Sequence, residues 1–282
     1  MGVLSIGEGE RMGYARPTGL SEALGYLAGT PGAVVLAGGT DLYPAISGPS
    51  LRGPVLDITA IAGLRGITRE PHGWRIGALT TWSAIRDAAL PPVFDALRAA
   101  AREVGAIQIQ NSGTIGGNLC NASPAADGVP PLMVLDAGVE LTSIRGVRRL
   151  ALADFLTGPR QTARAPDEVL THVLIPDLPG QSGFCKLGAR RYLVISIVMA
   201  AARIACDGVI REAALCVGAA SAVALRLPGL ERAVIGLSPA DAAGLIRESD
   251  LALVPLDDIR ASAVYRQEAA REMLARAVLA AT

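Results

Sequence analysis

Two glycine pairs, each close to a hydroxyl residue, are the features of this 282-residue sequence best suited to chemistry. The first lies in Val35-Leu36-Ala37-Gly38-Gly39-Thr40-Asp41-Leu42, at the end of an apolar run that reads as a strand. The second is Thr114-Ile115-Gly116-Gly117-Asn118. Adjacent glycines admit φ > 0 and let successive N–H groups converge on an anion. Each segment alone also reads as an ordinary tight turn; two on one domain point to a shared phosphate site. Neither contains Lys or Arg. A pyrophosphate there would rest on neutral backbone and hydroxyl donors, at about 1.5–3 kcal/mol per bond to a charged group. Such a site suits a dinucleotide held permanently better than a phosphoryl group in transfer.

Other chemistries fit poorly. There is no G-x-x-x-x-G-K-[ST], and Gly7-Glu8-Gly9-Glu10-Arg11-Met12 lacks the last glycine of G-x-G-x-x-G and follows no strand. A P-loop NTPase and a Rossmann NAD domain are therefore disfavoured. Cys120, Cys185, Cys206 and Cys216 stand far apart without a C-x-x-C, which argues against a disulfide framework or a cluster ligated by this chain. His72 and His172 sit in no metal-ligand spacing, so no metal site is expected. Lys+Arg and Asp+Glu both total 26, which leaves no electrostatic case for nucleic acid or an anionic membrane surface. Hydrophobic residues at 51% against 18% charged supply a sizeable core and exclude intrinsic disorder. The longest charge-free stretches, Ala23–Thr40 and Val104–Ala126, are broken by polar residues and glycine, so no membrane span is expected. Met1–Arg11 does not read as a signal peptide, and a cytoplasmic protein is the expectation.

The elements that must position the loops follow from periodicity. Helices are expected at Leu20–Ala28 (capped by Thr18 or Ser21), Trp82–Ala89, Phe94–Val104 and near Leu152–Leu156. Ala33–Ala37, Val55–Thr59, Trp74–Leu79, Val139–Ser143 and Val169–Ile175 read as strands. Pro176-Asp177-Leu178-Pro179-Gly180-Gln181-Ser182-Gly183 reads as a linker. Beyond it, Leu193–Ala205 and Glu212–Ala219 are β-type runs joined at Asp207-Gly208, a hairpin signal. Pro239–Ile246 and Ala261–Leu279 turn helical, with Arg266, Arg271 and Arg276 placed off the apolar face of the last helix. This order indicates an α+β chain: residues 1–176 as one domain and 180–282 as a second.

Ala37-Gly38-Gly39-Thr40-Asp41-Leu42, Thr114-Ile115-Gly116-Gly117-Asn118-Leu119 and Ala122-Ser123-Pro124-Ala125-Ala126-Asp127 together resemble the FAD-binding medium subunit of molybdenum hydroxylases. That family includes flavin subunits of xanthine, carbon monoxide, nicotinate and quinoline dehydrogenases. The resemblance runs nearly end to end. Tyr14-Ala15-Arg16-Pro17, Ile76-Gly77-Ala78-Leu79-Thr80-Thr81, Gly183-Phe184-Cys185-Lys186, the run Arg190–Val198 and the run Arg260–Arg266 occur in the expected order.

The resemblance implies a two-lobed FAD-binding domain of the vanillyl-alcohol oxidase (PCMH) type, followed by a smaller α+β C-terminal domain. It implies a non-covalent FAD whose diphosphate sits between Val35–Leu42 and Thr114–Asn118. Asp127 would accept from ribose hydroxyls, or else cap a helix beside Pro130. Leu170 would pack near the adenine end or the ring. Lys186 would lie close to the flavin, or simply on a strand surface. Tyr192 would stand beside the isoalloxazine, or pack in the core. No residue is assigned a catalytic role, since the substrate chemistry would occur on a partner. The implied partners are a large molybdopterin subunit and a small iron–sulfur subunit carrying [2Fe–2S] clusters, in a heterotrimer that is often doubled. The first loop departs from the Gly-Gly-His-Ser or Gly-Gly-Gln-Ser of carbon monoxide dehydrogenases, and no cysteine-rich insertion is present. The sequence therefore looks closer to a xanthine or heterocycle hydroxylase subunit. Its expected function is electron transfer from iron–sulfur clusters to a terminal acceptor such as NAD⁺, a quinone or dioxygen. A self-contained flavin oxidoreductase and a non-enzymatic nucleotide-binding module remain the competing readings.

Overall fold

Leu24 and Leu27 lie on one face of the helix Leu20–Gly29, with Ala23 beside them, and that face covers a small parallel sheet. The computed structural model describes residues 13–45, 53–191 and 193–282; Tyr192 and Met1–Met12 lie outside them. The sheet has Val55–Asp57 in the middle, Tyr14–Ala15 on one side and Val34–Leu36 on the other, both parallel to it. Parallel neighbours need a crossover, and this helix supplies the one between the outer strands. It starts at an extended Gly19 with no side-chain cap, so neither Thr18 nor Ser21 caps it.

A second lobe is a five-stranded antiparallel sheet in the order Ile67–Glu70, Gly73–Gly77, Val169–Pro176, Gly138–Ser143, Gly146–Ala151. Val173 and Ile175 of its middle strand are buried among Ile76, Val139 and Leu141 in a core that includes Leu97, Leu119 and Leu132 from the covering helices. The Pro92–Phe94 turn leads into the helix Asp95–Glu103, close to the expected span. Trp82–Asp87 is capped by Thr81, whose hydroxyl accepts from the Ala84 N–H at 3.2 Å.

The C-terminal half builds an antiparallel sheet from Gln181–Leu187, Val198–Cys206, Ile210–Gly218 and Leu225–Arg226. Its period-2 alternation sends side chains to two different cores. Ala201, Ala214 and Cys216 face the helices of the first half, whereas Ala200, Ala202, Leu215 and Val217 face Pro239–Glu248 and Ala263–Ala280. The Asp207-Gly208 turn joins its two longest strands.

Four expectations need correction. Gln181, Ser182 and Gly183 belong to a strand, where Ser182 binds the Val93 carbonyl at 2.6 Å, so the linker is shorter than it reads. Residues 193–197 precede the strand Val198–Cys206 instead of opening it. Arg266 is buried on the inner face of the last helix, donating to the Ile197 and Ala219 carbonyls at 2.6 and 2.8 Å and to Asp258 at 2.6 Å. Four short α-helices escape the periodicity: Ile107–Ser112, Ile115–Asn121, Val129–Val134 and Pro228–Ala233.

Candidate functional site

Both glycine loops line one cleft of about 1130 Å³. That exceeds the usual 300–1,000 Å³ of small-ligand pockets and suits an extended dinucleotide. One wall is Val35, Leu36, Ala37, Gly38, Gly39, Thr40, Asp41 and Leu42; the other includes Thr114, Gly116, Gly117 and Asn118. Ala78, Leu79 and Trp82 contribute apolar surface, and Leu170 lines it from the central strand of the antiparallel sheet. The cleft thus lies where the two lobes meet.

Chemistry at the first loop follows from its missing side chains. A Cβ on Gly38 would overlap the Ser112 carbonyl, so the first loop touches the backbone at the end of the helix Ile107–Ser112, just ahead of the second loop. Gly39 adopts φ +70°, a left-handed conformation that glycine accepts without cost. Among the described residues, the N–H groups of Gly38, Gly39, Thr40, Asp41 and Leu42 have no hydrogen-bond partner. Five free donors in succession, on the wall of a cleft, suit an anionic ligand.

The second loop is different from its reading. Thr114 is the N-cap of the helix Ile115–Asn121, and its hydroxyl accepts from the Gly117 N–H at 3.1 Å. Ile115 donates to the Thr80 carbonyl at 3.0 Å and Gly116 to the Ala78 carbonyl at 2.9 Å. These donors are therefore engaged within the protein, and neither Gly116 nor Gly117 has φ > 0. Gly116 is small because the helix presses on Ala78, where a Cβ would come within 2.6 Å. At Gly117 a Cβ would meet only the Thr114 hydroxyl, at 2.9 Å, so this residue leaves the cleft wall open. Ile115 is buried in the core and does not line the cleft. Asn118 Oδ1 is buried without a partner, on a wall shared with a smaller cavity of about 360 Å³.

Asp127 lines that smaller cavity and not the cleft. Its carboxylate accepts from Lys186 Nζ and from the Ser196 hydroxyl, each at 2.6 Å. Lys186 also donates to the Glu103 carbonyl at 3.1 Å. The two charged side chains are only 7% and 9% exposed. Burial pushes the Asp127 carboxyl up, against the pull of Lys186 and Ser196. The helix Val129–Val134 begins after Gly128 without any side-chain cap, so Asp127 does not cap it. Lys186 is not a surface strand residue either; the pair ties the C-terminal sheet to the first half.

Periodicity and motif give no signal for two further cleft residues, Arg160 and Arg164. They come from the tight hairpin Leu156–Gly158/Gln161–Thr162 and the segment after it. The cleft acid Glu168 is held by Arg148 at 2.6 and 2.8 Å. All four cysteines are free, and no helix among the described residues is long and apolar enough to cross a membrane.

A parallel-sheet lobe and an antiparallel-sheet lobe meet at a glycine-walled cleft, the arrangement that the resemblance to PCMH-type FAD-binding domains implies, and a smaller α+β domain follows. Comparison with known proteins makes this specific. The family described as FAD binding domain in molybdopterin dehydrogenase matches residues 10–178, and the CO dehydrogenase flavoprotein C-terminal domain matches 184–281. The xanthine dehydrogenase FAD-binding subunit of Escherichia coli O157:H7 is 34% identical over 284 residues, 95% of this chain and 96% of that one. The nicotinate dehydrogenase FAD-subunit of Eubacterium barkeri is 40% identical over 200 residues, 66% of each chain. In the solved reconstituted CO dehydrogenase from Oligotropha carboxidovorans, one chain superposes with a TM-score of 0.86 at 30% identity, over 96% of this chain and 98% of that one. The chain belongs to the family of FAD-binding medium subunits of the molybdenum hydroxylases and is an oxidoreductase subunit.

Proposed function

We propose that this chain holds FAD non-covalently and passes electrons from [2Fe–2S] clusters of a small partner subunit to a terminal acceptor. Organic substrate would be hydroxylated at a molybdopterin centre on a large partner, in a cytoplasmic heterotrimer. The observation that carries the reading is the first loop: a run of free N–H groups on a cleft with volume enough for a dinucleotide. FAD, when bound, supplies the redox chemistry itself.

What this chain contributes is binding and orientation. The donors of Gly38–Leu42 would hold the diphosphate against the bare face of Gly117. Thr114 keeps that face in place by capping its helix. Leu170 and the apolar floor would exclude water along the ligand. Asp127 and Lys186, already bound to one another, would act on the ring end through the field of a fixed ion pair beside the smaller cavity. The domains that divide this work are residues 1–176 and 180–282.

The test is purification from the native host. Co-purifying large and small subunits are expected, with stoichiometric FAD released by mild denaturation. Bleaching of the flavin absorbance by substrate only in the assembled complex would support the relay. A lone chain whose flavin is reduced directly by an organic substrate would refute it.

A further inference from the structure

Five arginines lie between Arg145 and Arg164, and their partners sort them in two groups. Arg145 pairs with Asp167, Arg148 with Glu168 at 2.6 Å, and Arg149 with Glu140 at 3.0 Å; none of these three arginines lines the cleft. Arg160 and Arg164 do line it, and among the described residues neither has a carboxylate within ion-pair distance. They are instead held by neutral oxygens. Arg164 donates to the carbonyls of Glu168, Ala165 and Pro166 at 2.7, 3.2 and 3.4 Å. Arg160 donates to the carbonyl and the side chain of Asn121, and its N–H bonds the Ala122 carbonyl at 2.8 Å. These bonds fix the guanidinium groups without cancelling their charge. Arg160 also holds φ +59° in the hairpin turn, a conformation uncommon away from glycine.

The rest of the cleft leaves this charge standing. Of the two acids that line it, Glu168 is taken by Arg148, which leaves Asp41; outside the lining, Asp167 feels the Arg164 charge but is itself paired with Arg145. We infer that Arg160 and Arg164 form a cationic wall that holds the phosphates of the dinucleotide from the side opposite Gly38–Leu42. A guanidinium offers a planar fork of donors matched to phosphate oxygens, and its bonds to an anion are about twice as strong as neutral ones. The diphosphate is then gripped by free backbone donors on one side and by two fixed charges on the other. The inference rests on the reading of the cleft as the FAD seat, and it replaces the expectation that neutral donors alone suffice.

The experiment uses the full chain, isolated with whatever partners it retains and stripped of flavin, titrated with FAD at low and high salt. Arg160→Gln and Arg164→Gln are each expected to weaken FAD binding by roughly ten- to a hundredfold. The salt dependence of the affinity should become shallower in both. Arg160→Lys and Arg164→Lys should restore the parent's salt dependence and part of the affinity, since the charge is kept and the planar fork is not. Circular dichroism verifies the fold of each variant. An unchanged affinity overturns the inference. So does a loss with an unaltered salt dependence that Lys fails to repair, because the arginines would then only brace the loops. If the parent binds no FAD at any salt concentration, the cleft reading itself fails first and takes the inference with it.

Discussion

A methyl group at Gly38 would overlap the Ser112 carbonyl, whereas one at Gly117 would meet a single hydroxyl. Similar Gly-Gly motifs therefore carry different constraints. Gly38→Ala should force the loops apart, at the roughly 1–3 kcal/mol typical of overpacking, and lower flavin content. At Gly117→Ala the crowding of the Thr114 hydroxyl is set against a helix-propensity gain of up to about 1 kcal/mol, so the melting temperature should change little; a matched loss in both would contradict the backbone contact. Asp127 shows where residue-level reading ends. Its carboxylate type is legible, but its partners Lys186 and Ser196 lie 59 and 69 residues away. Asp127→Ala strands a buried Lys186, so about 3–5 kcal/mol of stability should be lost. The motif around Asp127 gives no sign of that cost, because it contains neither partner. Lys186→Met added to Asp127→Ala should recover part of the loss in urea unfolding; strict additivity of the two would refute the coupling.

Among the elements, strands with clean alternation and helices with long apolar spacing are legible, and Val169–Pro176 and Asp95–Glu103 fall close to their expected spans. The short helices Ile115–Asn121 and Val129–Val134 are not, because each contains residues of low helix propensity. Gly116 and Gly117 are poor helix formers, yet Gly116 is what permits the helix to press on Ala78. Pro130 and Pro131 read as breakers, but they sit in the first turn of Val129–Val134, where a missing N–H costs nothing. Arg160 and Arg164 stayed hidden for a related reason: a tight hairpin brings them to a cleft whose other walls are far away in sequence. Thr114→Ala removes the cap on the Gly117 N–H and should cost about 1 kcal/mol. Thr114→Ser should be nearly neutral in the same denaturation experiment, since the hydroxyl is kept. Equal losses in the two variants would assign the cost to packing of the methyl group instead.

Across the whole molecule, one core continues from the antiparallel sheet through the helices to the inner face of the C-terminal sheet. Polar clamps reinforce it. Arg203 donates to the Val134 carbonyl at 3.1 Å, and Arg226 to the Met133 carbonyl at 2.8 Å and to Asp136 at 2.7 Å. Global stability should then report titrations anywhere in this shared body. His172 stands between two strands, its Nδ1 3.0 Å from an Arg75 nitrogen and 3.3 Å from Glu140, which Arg149 also holds. Burial lowers the His172 pKa below its ordinary 6.5, and Arg75 lowers it further, against the opposing pull of Glu140. Glu140 resists burial through Arg149 and Arg75, and its carboxyl lies below the ordinary 4.5. The signs agree and the windows differ. Above pH 6.5 the imidazole is neutral folded and unfolded, and its stabilising difference is complete. As the pH falls below 6.5 the unfolded chain takes up a proton that the folded one refuses, and stability declines until the folded pKa is passed. The Glu140 contribution is complete above 4.5 and is lost as the pH falls through its folded value. His172→Gln should therefore flatten stability between pH 6.5 and 4.5 while leaving the steeper acid limb intact. Urea midpoints at pH 7.5, 6, 5 and 4 measure both limbs. A variant that declines as steeply as the parent between 6.5 and 4.5 would remove His172 as the source of the first.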